Sequence, residues 1–255
     1  MAGGRPGPGG AGATGLSETL NLWQQGLGQV PEGVWEQSGL TTLILADNAL
    51  TTLSPRIGGL LRLRTLDLGH NALIALPDEL GDLPRLTGCL YLHDNKLTRL
   101  PPALGRLTGL RYLNAGENRL AELPEAVGAM VGLVELRAQH NRLTALPDSI
   151  GGLHRLRELW LRGNAIASLP QSLAGLAELR HLDLRENALE EVPEAVAALP
   201  RLRQLDLRSN HIRRLPDWLA DCMPALEKLD LRWNEVEPTA SLVDALERRG
   251  CVVLH

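Results

Sequence analysis

The sequence predicts an α/β solenoid: a curved horseshoe of about ten repeats, with a parallel sheet on its concave face, short 3-10 or helical turns on its convex face, and a C-terminal helix–strand cap. Three observations predict it. An asparagine recurs every 23 or 24 residues, leucines stand at fixed distances around it, and a Leu-Pro pair often follows. Such a period indicates one supersecondary unit stacked on copies of itself. The asparagines are Asn48, Asn71, Asn95, Asn118, Asn141, Asn164, Asn187, Asn210 and Asn234.

The first element of each unit is a short strand. Counting from the first leucine of the pattern, positions one, four, six and eleven are apolar and position nine is the asparagine, as between Leu179 and Leu189. Alternation of apolar and polar residues around position five is typical of a strand with one buried face. Positions four and six therefore face the core, and positions three, five and seven face outward. Ala115 and Ala138 replace the inward leucine at position six in two adjacent units.

The second element returns the chain to the next strand, because parallel strands need a crossover. Apolar residues three apart with a small residue between them, such as Ile150, Gly151 and Leu153, suit a single helical or 3-10 turn. The proline of the Leu-Pro pair suits the first position of that turn.

The asparagine stands where the chain leaves the strand, and there backbone N–H and C=O groups become buried without sheet partners. An amide side chain supplies both donors and an acceptor for them. We therefore predict a ladder of asparagines between units, in which losing one member costs about 1–3 kcal/mol.

Three segments are predicted along the chain. Residues 1–16 are rich in Gly, Pro and Ala, which indicates a flexible tail. Residues 17–239 form the solenoid, whose degenerate first unit has Gln25 in place of the asparagine. Residues 240–255 are predicted to form an amphipathic helix that ends at Gly250, followed by an edge strand. Together the helix and strand would cover the open end of the last repeat.

The pattern resembles that of the leucine-rich repeat family, whose unit reads L-x-x-L-x-L-x-x-N-x-L, over residues 17 to about 238. The 23-residue unit with Leu-Pro is similar to the subclass in Ras-group-related plant repeat proteins, Roco GTPases and many bacterial repeat proteins. The resemblance implies a horseshoe with a parallel sheet on the concave face. Long curved faces of this kind usually bind other molecules.

Composition and charge narrow the class of partner. The formal net charge of −4 does not recruit nucleic acid or an acidic membrane surface. Three scattered cysteines fit a reducing compartment, and no apolar run approaches the ~18 residues of a membrane helix. With no secretory signal at its start, we predict a cytoplasmic, monomeric protein. The excess of Ala, Gly and Arg indicates a bacterial source, and export by a signal-independent route stays open.

The outward positions of the strands differ along the solenoid, and adjacent strands bring equivalent positions about 4.8 Å apart. The middle of the concave face is aromatic and mixed in charge, and Tyr, Trp and Arg are the residues most enriched at interaction hot spots. We predict a protein or peptide contact there; the alternative is surface variation, with the rings packed on aliphatic stems. The predicted contact residues are Tyr91, His93, Tyr112, Arg137, Trp160, Arg162 and His181.

Two further columns of residues have alternative interpretations. The C-terminal Arg and Asp columns favour an inter-repeat ion-pair lattice over a charged partner surface. The pairing of each Arg with an Asp disfavours nucleic acid as the partner, since phosphate binding needs uncompensated positive charge. The position-eight column favours a solvated polar edge over a divalent-metal site. The charged columns are Arg162, Arg185, Arg208, Arg232 with Asp183, Asp206, Asp230; the position-eight column is Asp47, His70, Asp94, Glu117, His140.

The sequence contains no motif of catalysis: G-x-x-x-x-G-K-[ST], H-E-x-x-H and C-x-x-C are missing. Cys89 and His93 lie four residues apart on one strand, about 13 Å, too far for a thiol–imidazole pair. We predict a non-catalytic protein-interaction module without cofactor or metal, not an enzyme. The alternatives are a bacterial effector that binds a host protein and a scaffold without a dedicated partner; the varied outward columns weigh against the scaffold.

Overall fold

The computed structural model describes residues 18–237 and 240–255, so the predicted tail lies outside the described residues. Eleven parallel strands form one sheet in chain order, which confirms the predicted solenoid. The strands are β1 (Glu18–Asn21), β2 (Leu40–Ile44), β3 (Thr65–Asp67), β4 (Cys89–Tyr91), β5 (Tyr112–Asn114), β6 (Glu135–Arg137), β7 (Glu158–Trp160), β8 (His181–Asp183), β9 (Gln204–Asp206), β10 (Lys228–Asp230) and β11 (Val252–Leu254).

Short turns form the convex side. Eight of them are 3-10 turns, and the ninth is a single α-helical turn, α1 (Leu219–Cys222), in a unit of 24 residues. The 3-10 turns span Glu32–Val34, Pro55–Gly59, Asp78–Asp82, Pro102–Arg106, Glu125–Ala129, Asp148–Gly152, Gln171–Gly175 and Glu194–Ala198. The position-fifteen proline lies one residue earlier than expected, as the N-cap of seven of the eight 3-10 turns, and Ser54 takes this place before Pro55–Gly59. Its extended backbone ends the preceding segment, and the turn begins at the next residue.

The core lies between sheet and turns and is almost entirely leucine. Strand pairing places position four opposite position four at every step, as Leu136 opposite Leu159 shows. Equivalent leucines therefore stack in continuous columns that are excluded from water. Ala115 and Ala138 are also fully buried, so the shorter side chains open no gap to solvent.

The C-terminal end is covered by α2 (Ala240–Arg248) and β11. Leu246 of α2 is fully buried, and Leu242 and Val243 are nearly so. The helix is followed by Gly250 in the left-handed region (φ +86°), where glycine pays no Cβ penalty. Strand β11 then pairs with β10 and becomes the last strand of the sheet.

Close approach between neighbouring turns explains a recurring glycine on the convex side. A Cβ on Gly128 would lie 2.2 Å from the carbonyl oxygen of Ser149 in the next turn. We expect Gly128→Ala to lower the free energy of unfolding by about 1–3 kcal/mol, because the two turns must move apart. Urea denaturation measures it. Gly59→Ala is the matched control, since no described atom lies within 4 Å of its Cβ; equal losses would contradict the explanation.

Candidate functional site on the concave face

The concave strands end at a sharp backbone turn that is the same in every unit. The residue at position eight has a left-handed φ of 49° to 67° in all ten units. Such a conformation favours Gly and is tolerated best by Asn, Asp and His. The residues are Gln24, Asp47, His70, Asp94, Glu117, His140, Gly163, Glu186, Ser209 and Trp233.

This turn bears on the metal alternative for position eight. All five side chains considered for it are exposed, as expected of a polar edge. Within residues 18–237 and 240–255, no group of three or more His, Cys, Asp or Glu side chains is arranged to hold a metal ion. The residues of the position-eight column lie in a left-handed backbone conformation, which restricts the residue types that fit there.

The ladder asparagines tie each turn to its neighbours. Asn118 Nδ2 donates to the carbonyl oxygens of Leu92 (2.9 Å), Ala115 (3.2 Å) and Gly116 (3.0 Å), and its Oδ1 accepts from the N–H of Leu97 (2.9 Å). Leu92 and Leu97 belong to the preceding unit. The same donor and acceptor pattern holds from Asn48 to Asn234, with two or three carbonyls per amide.

Position five has a second structural role, which the sequence reading did not identify. Where this residue is Asp or Asn, its Oδ1 accepts a hydrogen bond from the backbone N–H two residues later, at 2.9–3.4 Å. This is an Asx turn. The sequence contains a signal for this turn, because Asp or Asn recurs at position five, two residues before the N–H of position seven. The residues are Asn21, Asp67, Asn114, Asp183, Asp206 and Asp230.

The unit of Ile44 lacks this hydrogen bond, and so do three units in the middle of the sheet. Tyr91, Arg137 and Trp160 occupy position five there, and none of these side chains can form an Asx turn. Among the residues described, no side-chain acceptor is paired with the following N–H groups of His93, Gln139 and Arg162. All three large side chains are half-buried on the concave face.

These side chains join their neighbours in a continuous series of contacts, the aromatic string, made of His70, His93, Tyr91, Tyr112, Arg137, Trp160 and His181. The rings of Tyr91 and Tyr112 lie 5.1 Å apart. The Arg137 guanidinium lies 5.9 Å from the Tyr112 ring and 4.9 Å from the Trp160 ring. Trp160 then stacks on His181 at 4.3 Å. Separations of this size are attractive for aromatic pairs and for a cation over a ring.

The N-terminal end of the aromatic string is a pair of histidines. The His70 and His93 rings meet edge to face, and their Nε2 atoms are 3.2 Å apart. His70 Nδ1 lies 2.8 Å from an Asp94 carboxylate oxygen. Gly69 makes room for the His93 ring, since a Cβ there would lie 2.4 Å from His93 Cε1.

Burial shifts the pKa of three rings of the aromatic string, those of Tyr91, Tyr112 and His93. Burial, then a hydrogen bond with Cys89, raises the pKa of Tyr91 to about 12, and burial also raises the pKa of Tyr112. Burial, with the neighbouring His70, lowers the pKa of His93. Both phenols and the His93 imidazole are therefore uncharged at neutral pH, and Arg137, held by Glu135 at 2.5 Å, supplies the cation.

Arg162 is placed differently from the other predicted contact residues. Its Nε and Nη2 donate to Glu186 Oε1 at 3.0 and 2.7 Å. It contacts none of the rings of the aromatic string in the described structure. The structure therefore brings six of the seven predicted contact residues together. The seventh, Arg162, is held beside them by Glu186. His70, from the position-eight column, joins the six through its contact with His93.

The Arg and Asp columns pair mainly within each strand, not between repeats. Arg185 and Arg208 each make a bidentate contact with the Asp two residues earlier, with shortest distances of 2.6 Å. Contacts to the next strand are longer, at 3.4 Å from Arg185 to Asp206 and 3.5 Å from Arg208 to Asp230. The shortest ion pairs therefore join an Asp at position five to the Arg at position seven of the same strand, because the Asx turn directs the carboxylate toward position seven. The expected pairs between repeats are longer.

Two parts of the chain match models of leucine-rich repeat families. A family described as leucine-rich repeat region matches residues 148–248, and a second, described as leucine rich repeat, matches residues 38–88. No curated protein sequence matches the chain. Among the part of the chain that the structure describes, no helix is long and apolar enough to cross a membrane.

Solved structures with the same fold come from bacteria and plants. A leucine-rich repeat protein of Leptospira interrogans is 28% identical, with a TM-score of 0.70, over 90% of this chain and 70% of that one. The plant peptide hormone receptor RGFR1, solved with RGF2, is 29% identical with a TM-score of 0.71; the match covers 81% of this chain but 34% of the receptor. The Arabidopsis thaliana receptor kinase ectodomain GASSHO1/SCHENGEN3, in complex with CASPARIAN STRIP INTEGRITY FACTOR 2, is 26% identical with a TM-score of 0.66, over 89% of this chain and 30% of that one.

Proposed function

Because the chain belongs to the leucine-rich repeat family, we propose that it is a non-catalytic interaction protein that binds a protein or peptide on its concave face. The contact is centred on Tyr91, Tyr112, Arg137 and Trp160, with His93 and His181 at the two sides. Arg162 lies at its rim. The family is typically non-catalytic, and the interaction needs no cofactor.

One observation carries this proposal: within four consecutive units, Tyr91, Arg137 and Trp160 depart from the Asx turn that six other units use, and these three large side chains contact neighbouring side chains across the sheet. A scaffold without a partner has no reason to exchange a backbone hydrogen bond for a half-exposed Tyr, Arg or Trp. Large aromatic and Arg side chains are the usual anchors of interfaces. The exchange therefore favours a binding surface over the scaffold alternative.

The size of the surface suggests an extended ligand. Five strands, β4 to β8, contribute to it, and at about 4.8 Å per strand they span roughly 19 Å. That length matches about six residues of extended chain. The neutral rings suit apolar or aromatic side chains of the ligand, and the Arg137 guanidinium, which Glu135 already holds, lies over the Tyr112 and Trp160 rings. The contacts among the rings hold them in place before binding, which reduces the entropy lost on association.

The comparisons support a peptide or protein as the kind of partner. Two similar receptors were solved with RGF2 and with CASPARIAN STRIP INTEGRITY FACTOR 2. Since this chain spans about a third of those receptors, only the kind of interaction is carried over. We further propose that the protein acts as a cytoplasmic monomer; the effector alternative differs in where the partner is found.

The proposal predicts a large loss of binding in the variant Tyr91→Ala/Tyr112→Ala/Trp160→Ala. If each ring contributes about 1–2 kcal/mol, affinity should fall at least about 100-fold. A partner is first captured with the unaltered protein from a lysate of the organism that makes it. Binding of that partner is then measured by calorimetry. Circular dichroism checks that the variant is folded.

The matched control is Trp23→Ala/Trp233→Ala, which removes two exposed indoles outside the aromatic string. We expect it to bind as the unaltered protein does. Equal binding by the triple variant would move the interface away from these rings. Capture only from another organism's lysate would favour the effector alternative.

A further inference from the structure

A groove of about 870 Å³ lies along the edge of the sheet where the strands begin, and none of its lining residues belongs to the aromatic string. The side chains that give it its charge are Arg111, Arg155 and Arg157, with His154 beside them. Val131 and Val134 add an aliphatic patch to the wall. The side chain of Val131 is 46% exposed, so the patch is open to a ligand.

Backbone hydrogen bonds hold the arginines in register. The N–H of Val134 donates to Arg111 O, and that of Arg157 donates to Val134 O, both at 2.8 Å. The series continues from Arg180 N to Arg157 O and from Arg203 N to Arg180 O, both at 2.9 Å. Position two of five consecutive units is therefore Arg, Val, Arg, Arg, Arg, at about 4.8 Å per step.

The positive charge of this groove is not neutralised by the chain. In the described ranges, no carboxylate lies within 4.0 Å of the side-chain nitrogens of Arg111, Arg155 or Arg157, which line the groove, or of Arg180, which continues the position-two column beyond the lining. Glu178, which also lines the groove, is hydrogen-bonded by Arg201 at 2.5 Å. Arg180 Nε is buried and has no hydrogen-bond partner among the described atoms. These side chains contrast with the concave arginines, each of which is held by its own carboxylate.

Charge complementarity selects the ligand. The position-two column holds Arg111, Arg157 and Arg180, with Val134 between the first two, and Arg155 lies beside it. These like charges repel each other, and a row of carboxylates would relieve this through charge-assisted hydrogen bonds. The aliphatic stems of Glu fit the Val131 and Val134 patch. The lining contains no Tyr, Trp or Phe, the usual platforms for stacked bases of single-stranded nucleic acid.

We propose that this groove, the arginine groove, is a second binding site that takes an acidic, carboxylate-bearing segment of a protein. It is independent of the concave contact, because the two sites share no side chain. A partner that engages both would be held along two faces of the units that contain β5 to β8.

The test uses a fluorescein-labelled hexaglutamate peptide and fluorescence anisotropy at low ionic strength. We expect saturable binding that weakens as salt is added. Arg111→Gln/Arg157→Gln should weaken it at least about tenfold, since both charges face the groove. Both side chains are exposed, so the variant is expected to fold.

The matched control is Arg119→Gln/Arg142→Gln, which removes the same charge from two exposed arginines outside the groove. It should bind hexaglutamate within about twofold of the unaltered protein, as should the concave triple variant. Absence of hexaglutamate binding, or an equal loss in the control, would overturn the proposal. Tighter binding of an oligothymidylate of the same charge, lost in Arg111→Gln/Arg157→Gln, would assign the groove to nucleic acid instead.

Discussion

Asn118→Ala is expected to lower the free energy of unfolding by about 2–3 kcal/mol. The change removes one donor from each of three carbonyl oxygens, which keep one other donor each, and it leaves the N–H of Leu97 in the preceding unit without an acceptor. Asn118 is only 9% exposed, so water replaces these bonds poorly. Urea denaturation followed by circular dichroism measures the loss.

The same variant should also unfold less cooperatively. In a solenoid each unit is stabilised mainly by its neighbours, so one weakened interface can separate two blocks of repeats. We expect a broader transition or two transitions in place of one.

Asn114→Ala provides the control within the same unit. Asn114 is buried to the same degree, at 8% exposure, but accepts one backbone hydrogen bond, from Gly116 N. Its loss should cost about 1 kcal/mol. If both variants lose the same stability, the ladder has no more effect than a single Asx turn.

Deletion of residues 240–255 is expected to make the protein associate and to lower its stability. The deletion removes β11 from β10, and it uncovers the side of the last repeat on which Leu246 and Val253 are packed. An open strand edge beside exposed leucines pairs readily with another chain. Sedimentation velocity should show species larger than a monomer, and a dye that binds exposed apolar surface should fluoresce.

A point variant shows how much of the deletion's effect comes from lost packing of α2 and how much from removal of the segment itself. Leu246→Ser replaces a fully buried side chain of α2, and Val252→Ser replaces one that is 55% exposed on β11. We expect Leu246→Ser to reproduce part of the deletion's effect and Val252→Ser to behave as the unaltered protein. A stable, monomeric deletion variant would show that the last repeat does not need this cover.

The elements of the fold could be read from residue spacing because a solenoid is held together by contacts between equivalent positions. Strand pairing sets a leucine at position four opposite position four of the next unit, so the 23-residue period contains the register of the sheet. The ladder asparagines follow by the same reasoning, since the need for an amide arises wherever the strand ends.

The candidate site was only partly readable. Outward positions such as Tyr91 and Trp160 could be assigned to the concave face. Their contacts could not, because side-chain directions decide whether Arg137 lies over two rings and whether Arg162 turns away to Glu186. Position five was read as surface, although in six units it completes a turn.

The sequence by itself determined the repeat, the sheet, the buried columns and the face on which large aromatic residues are displayed. These depend on spacing along the chain, which the printed residues contain. Only the tertiary structure decided which charges are paired. Arg185 bonds the Asp two residues earlier, whereas Arg111 and Arg157 of the arginine groove come to one edge of the sheet from two units apart and have no such partner in the described part of the chain. Charge pairing depends on where flexible side chains meet in space, and a sequence period does not specify that.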